Sequence, residues 1–190
     1  FDKAGLPKGV FQALHVDHPT AEPLLKSPLI NYVHFTGSVG GGAHVQKLVT
    51  SFAGVGLELG GKDSAYVRAD ADPVYTAEQL VDGAMYNSGQ SCCAIERIYV
   101  HENIYDAFVS HAVKTAKAYV LGNPLDPKTN LGPVISIHQA NHIRAHLQDA
   151  ADKGATLHID ETEFPISKAG TAFVAPQILT NVNHDMLIMS

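Results

Sequence analysis

The sequence predicts an α/β fold with largely parallel strands, and three observations carry that expectation. Short runs rich in β-branched and apolar residues alternate with segments of helix length whose apolar positions recur every three or four residues. Glycines follow two of the strand-like runs at once, as they do where a strand turns into the next element. No internal repeat or low-complexity stretch interrupts the alternation.

Taken in order, Gly5 to Gly9 is a turn, and Val10 to Val16 has the content of a short strand. Thr20 to Lys26 forms a short helix, and Asn31 to Phe35 is the next strand, leading straight into glycines. Ala43 to Phe52 is predicted helical because Val45, Leu48, Val49 and Phe52 fall on one face. The apolar run Gly56 to Gly61 ends in a double glycine and precedes a strand at Ala65 to Val67. Helical spacing returns from Pro73 to Asn87 through Ala77, Leu80, Val81, Ala84 and Met85. Ile98 to Val100 is a strand, and Ile104 to Val120 is a long amphipathic helix with Phe108, Ala112 and Ala116 inside. After a loop at Gly122 to Pro127 come a helix at Ser136 to Lys153 and late strands at Thr156 to Ile159 and Phe173 to Leu179. A composition shift near Gly54 to Gly61 suggests a domain boundary there.

Composition narrows the function classes. At 190 residues the chain can bury a real core, and 45% hydrophobic with 17% charged residues is ordinary for a soluble globular protein. The net charge of −6 is spread along the chain and no Lys/Arg cluster stands out, so nucleic acid is not an expected partner. Every apolar stretch is interrupted well before the roughly 20 residues a bilayer demands, so no membrane helix is expected. The first residues lack the marks of a secretory signal, and a cytoplasmic or organelle-matrix setting is the expectation. Cys92 and Cys93 are neighbours, a poor arrangement for a structural bridge, so they are either small hydrophobes or reactive thiols.

Three segments can carry chemistry. Phe35-Thr36-Gly37-Ser38-Val39-Gly40-Gly41-Gly42 is a strand end turning through glycines into a helix; it suits a phosphate, or is simply a flexible turn. Glu58 stands between leucines in Leu57-Glu58-Leu59-Gly60-Gly61, either facing solvent or partly desolvated and suited to general-base work. Asn87-Ser88-Gly89-Gln90-Ser91-Cys92-Cys93-Ala94 places a thiol on a polar turn, either structural or close to backbone N–H donors that stabilise a thiolate and an oxyanion. The histidines His138, His142 and His146 share one helix face at a spacing of four, which fits a surface helix better than a zinc site, and no metal is expected.

Together the three segments resemble the aldehyde dehydrogenase superfamily, in which a phenylalanine-threonine-glycine-serine turn, a glutamate-leucine-glycine-glycine-lysine segment and a glycine-glutamine-x-cysteine segment occur in that order. Here they are Phe35 to Ser38, Glu58 to Lys62 and Gly89 to Cys92. Asp70-Ala71-Asp72, Arg97, Gly122-Asn123-Pro124 and Leu131-Gly132-Pro133 add to the likeness, which extends over essentially the whole chain. The resemblance implies the end of a Rossmann-like nucleotide-binding domain over residues 1–56, followed over 57–190 by most of an α/β catalytic thiol domain of the aldehyde dehydrogenase fold. It implies that Cys92 is the nucleophile and Glu58 the general base. It also implies that Gly37, Ser38 and Gly42 approach the pyrophosphate of NAD or NADP, and that Leu59 and Gly60 border the nicotinamide. A small aldehyde would then be the substrate, and the full-length enzyme a homodimer or homotetramer.

The resemblance further implies that this is an internal piece of a longer enzyme. A complete member carries an asparagine donor in a proline-tryptophan-asparagine segment, a ribose-contacting lysine and a glutamate-phenylalanine-glycine-proline segment. None of these is present here, and the chain has no Trp. Weak or no turnover is expected from the 190 residues alone. Relatives that pass the acyl group to coenzyme A or reduce an acyl phosphate tend to lack the glutamate base, and a non-catalytic relative would lack the nucleophile. Glu58 and Cys92 argue against both.

Overall fold

The structure, a computed structural model, describes residues 1–189. Its contacts divide the chain into two compact units, Phe1–Gly60 and Gly61–Ser190, each built around one strand-helix-strand crossover. Ser190 lies outside the described residues.

In the first unit, helix α1 (His18–Leu25) starts where the Asp17 carboxylate accepts the Thr20 N–H, with Pro19 in its first turn. Strand β1 (Tyr32–Thr36) then leads into helix α2 (Val39–Leu48) and returns as β2 (Gly54–Glu58), parallel to β1 in the register Tyr32↔Gly54 to Thr36↔Glu58. Val33 and Val45 are buried between the pair and its helix. Helix α2 lies several residues ahead of the predicted Ala43 to Phe52. The Ser38 hydroxyl accepts the Gly41 N–H and fixes the first turn, so the glycines enter the helix despite their low propensity. The helix stops at Val49, which takes extended dihedrals, and Phe52 is fully exposed rather than on a buried face. The strand predicted at Val10 to Val16 does not form. The segment is irregular, with Phe11 and Leu14 exposed, because no described strand lies alongside to take its backbone hydrogen bonds.

In the second unit, β3 (Asp63–Val67) and β4 (Ile95–Val100) pair in parallel across helix α3 (Pro73–Met85). Asp72 caps α3 by accepting the N–H groups of Val74 and Tyr75, with Pro73 at the first helical position. Helix α4 (Tyr105–Lys117) packs on α3, and the small faces of Ala77, Ala112 and Ala116 let the two approach while Val81 and Phe108 fill the space between them. Val67, Ile159 and Phe164 complete this core.

Helix α5 (Ile137–Asp152) begins with Ser136 accepting the Gln139 N–H, and the chain leaves it through Gly154 at φ +94°. The late strands are shorter than predicted. Only Thr156–Leu157 (β5) and Leu179–Thr180 (β6) pair, and they are antiparallel. Further pairing is pre-empted by side chains: the Gln177 amide takes both the N–H and the C=O of Ile159, and Arg144 donates to the carbonyls of Thr171 and Phe173. Among the described residues two of the three strand pairs are thus parallel, as expected of an α/β chain. Among the described residues no helix is long and apolar enough to cross a membrane.

Candidate active site

The first unit gathers six of the sequence-predicted residues at the ends of its two strands, where parallel sheets commonly place ligands. Glu58 is the last residue of β2; it pairs with Thr36, its carbonyl accepts the Gly37 N–H at 3.0 Å, and it is exposed. Gly37 lies under the Phe35 ring, whose Cζ would sit 2.6 Å from any Cβ at that position. Gly42 is buried against Leu59, whose Cδ2 would come within 2.6 Å of an added Cβ. A side chain at 37 or 42 would therefore fit only if the Phe35 ring or the Leu59 side chain moved aside. Gly40, by contrast, would meet nothing within 4 Å, and Gly60 is equally open.

The start of α2 has the character of an anion site. No acidic residue stands in its first turn, Ser38 occupies the cap, and among the described residues no acceptor takes the N–H groups of Val39 and Gly40. A dinucleotide phosphate fits that chemistry.

The second unit holds Cys92 at the turn that leaves α3 and enters β4. Asn87, Ser88 and Gly89 are three consecutive left-handed residues at φ +51°, +58° and +74°. For Asn and Ser that conformation costs on the order of 1 kcal/mol each. Specific bonds offset the strain. The Asn87 amide donates to the Gln90 carbonyl at 3.1 Å, and the Gln90 amide donates back to the Asn87 carbonyl at 3.0 Å. Ser88 Oγ donates to the Gly132 carbonyl at 2.9 Å, and the Ile135 N–H donates to Gln90 Oε1 at 2.7 Å.

Beyond this turn Cys92 and Cys93 are both exposed, and Ser91 Oγ lies 3.2 Å from Cys93 Sγ. The Cys92 N–H has no acceptor among the described residues. Its carbonyl abuts Gly61, where a Cβ would collide with it.

The segment after Gly61 is tied to the same region. Arg97 donates to the Lys62 carbonyl at 2.9 Å, and Lys62 Nζ meets Glu96 at 2.5 Å and the Ile188 carbonyl at 3.0 Å. The β3–β4 register slips between Asp63 and Ser64, leaving Glu96 as the extra residue of a bulge, a device that turns a strand end toward a site. Sequence reading missed Gly61 and the bonding of Ser88 and Gln90. The double glycine was the only signal for the first, and nothing local announces Gly132 or Ile135 as partners. On α5 the His142 and His146 rings meet with centroids 4.2 Å apart, tilted 53° to one another. No group of three metal-ligating side chains gathers among the described residues.

Comparison with known proteins gives the family and the fold. The model of the aldehyde dehydrogenase family matches residues 1–190, and the chain belongs to that family. It is similar to the 3-sulfolactaldehyde dehydrogenase of Priestia aryabhattai, 38% identical over 98% of this chain and 38% of that protein. It is equally similar to the retinal dehydrogenase 2 of Homo sapiens, 39% identical over 98% of this chain and 36% of that protein. The crystal structure of the NADP-dependent glyceraldehyde-3-phosphate dehydrogenase from Bacillus halodurans C-125 complexed with NADP superposes with a TM-score of 0.87 at 32% identity, covering 98% of this chain and 38% of that one. The chain thus spans a little over a third of the length of the relatives it matches, and its fold is that of the aldehyde dehydrogenases.

Proposed function

We propose that the protein to which this chain contributes oxidises an aldehyde to a carboxylic acid with NAD or NADP, using Cys92 as nucleophile and Glu58 as general base. The observation that carries the reading is the exposed Cys92 thiol on a turn held by four hydrogen bonds, in a chain of the aldehyde dehydrogenase family. In this reading residues 1–56 close the nucleotide-binding domain and 57–190 belong to the catalytic domain. Ser38, Gly37 and Gly42 receive the pyrophosphate at the start of α2, and Leu59 and Gly60 border the nicotinamide.

The Cys92 thiolate adds to the aldehyde carbon, and the uncommitted Cys92 N–H supports the oxyanion of the resulting thiohemiacetal. Bound NAD or NADP supplies the hydride acceptor. Cys92 then holds the acyl group as a thioester. Glu58 takes a proton from water as the water oxygen bonds to the acyl carbon, the carbon–sulfur bond breaks, and the carboxylic acid leaves with Cys92 again a thiolate.

Relatives named for 3-sulfolactaldehyde and retinal stand at almost the same identity, so the aldehyde itself is not transferred from either. The full-length protein is read as a homodimer or homotetramer in a cytoplasmic or matrix compartment, and the 190 residues alone as weakly active or inactive. The test is peptide mapping after stoichiometric iodoacetamide at pH 7 in the full-length protein. Preferential labelling of Cys92 over Cys93, slowed by NAD or NADP, is expected, together with loss of aldehyde oxidation in Cys92→Ala. Equal labelling of both thiols, or an active Cys92→Ala protein, would sink the reading.

A further inference from the structure

We infer that Gln90 is a positioning residue, whose side-chain amide clamps the strained turn carrying Cys92 to the chain segment that ends at Ile135. The inference rests on the reading of Cys92 as nucleophile.

The amide is committed at both ends. Its oxygen accepts the Ile135 N–H at 2.7 Å, which fixes the orientation of the group and leaves the nitrogen facing the Asn87 carbonyl at 3.0 Å. The Gln90 backbone joins in. Its N–H donates to the same Asn87 carbonyl at 3.2 Å, and its carbonyl accepts from Asn87 Nδ2 at 3.1 Å. One residue therefore closes the left-handed run Asn87-Ser88-Gly89 from both sides and ties it to a segment 45 positions further on. Ser88 adds a second tie, to the Gly132 carbonyl, in the same distant segment.

The geometry accounts for why a strained turn persists three residues before an exposed thiol. Left to local preference, Asn87 and Ser88 would relax toward right-handed dihedrals, and the path of the chain into Cys92 would change. Gly89 adopts its positive φ freely and is not the residue that needs holding. Position 91 is not so held, since Ser91 interacts with Cys93 through its side chain. Gln90 is thus the last residue before Cys92 whose side chain reaches a separate part of the unit. Misplacement of a reacting atom by about 1 Å can cost on the order of 100-fold in rate while leaving substrate affinity nearly alone.

The test compares wild type, Gln90→Leu, Gln90→Glu and Cys92→Ala in the full-length protein, reading kcat, KM for the aldehyde, separate alkylation rates of Cys92 and Cys93, and melting temperature. Gln90→Leu matches the shape and deletes both bonds. It is expected to lower kcat by about 10- to 100-fold with KM changed less than about 3-fold. Cys92 alkylation should slow relative to Cys93. Gln90→Glu keeps the acceptor for Ile135 but sets a carboxylate oxygen against the Asn87 carbonyl, and is expected to fall between wild type and Gln90→Leu. The inference is overturned if Gln90→Leu leaves kcat within about 2-fold, or if its losses follow the melting temperature and affect both thiols alike. An active Cys92→Ala protein would instead remove the nucleophile reading itself, and the positioning role with it. An inactive Cys92→Ala beside a fully active Gln90→Leu would remove only the positioning role.

Discussion

The α-carbon of Gly61 faces the carbonyl oxygen of Cys92 so closely that no side chain fits between them. The double glycine therefore matters to the thiol loop directly, by letting the backbone before β3 lie against the backbone before β4. Gly61 has no positive φ to explain it; close approach is the reason.

Gly61→Ala is accordingly expected to destabilise the protein by about 1–3 kcal/mol, since the obstacle is backbone and has no rotamer into which to retreat. A urea melt measures the loss, and iodoacetamide labelling should show altered Cys92 reactivity. Unchanged stability and labelling would mean that the loop yields without cost.

Two glycines of α2 give opposite expectations. Gly40→Ala meets open space and should stabilise the helix by about 0.5–1 kcal/mol. Gly42→Ala strikes the Leu59 side chain, so Leu59 must turn aside and the helix gain is cancelled or reversed. Paired thermal melts decide the matter, with titration of NAD and NADP reporting whether a displaced Leu59 weakens cofactor binding.

Acid should weaken the second unit partly through His146. Burial holds its imidazole below the ordinary value, the charges of His142 and Lys62 add to the effect, and Asp149 opposes it. A histidine depressed in the folded state takes up its proton more readily when unfolded. Its contribution is complete above pH 6.5 and is lost as pH falls below that value. His146→Gln should flatten the pH dependence of stability just below pH 6.5 while leaving the slope at higher pH unchanged. An unaltered profile would show that His146 does not supply it.

Phe108 lies at the centre of the α3–α4 contact and is 4% exposed. Phe108→Ala should cost about 3–5 kcal/mol in a chemical denaturation experiment. A cost below about 1 kcal/mol would mean that the neighbouring side chains collapse into the space.

Much of this was legible in one dimension. Alternating periodicity predicts the parallel strand pairs and the helices between them, because the 2.0 and 3.6 repeats are local properties of the chain. Helices α3, α4 and α5 lie within the ranges that Pro73, Phe108 and Ser136 suggest. Errors fall where a partner decides. Val10 to Val16 has strand composition but no described neighbour to pair with, and Phe173 to Ile178 is kept from the ladder by Gln177 and Arg144 side chains. The start of α2 shifted because a single hydroxyl, that of Ser38, outweighs the low propensity of three glycines.

By itself the sequence determined the α/β class, the family and the order of the three chemical segments, since each is a matter of residue type at short spacing. Only the tertiary structure decided why particular residues stand where they do. Gly42 yields to Leu59, Gly61 yields to the Cys92 carbonyl, and Gln90 reaches Ile135. These are contacts between positions separated by 17, 31 and 45 residues, which no local preference encodes and only the packed chain brings together.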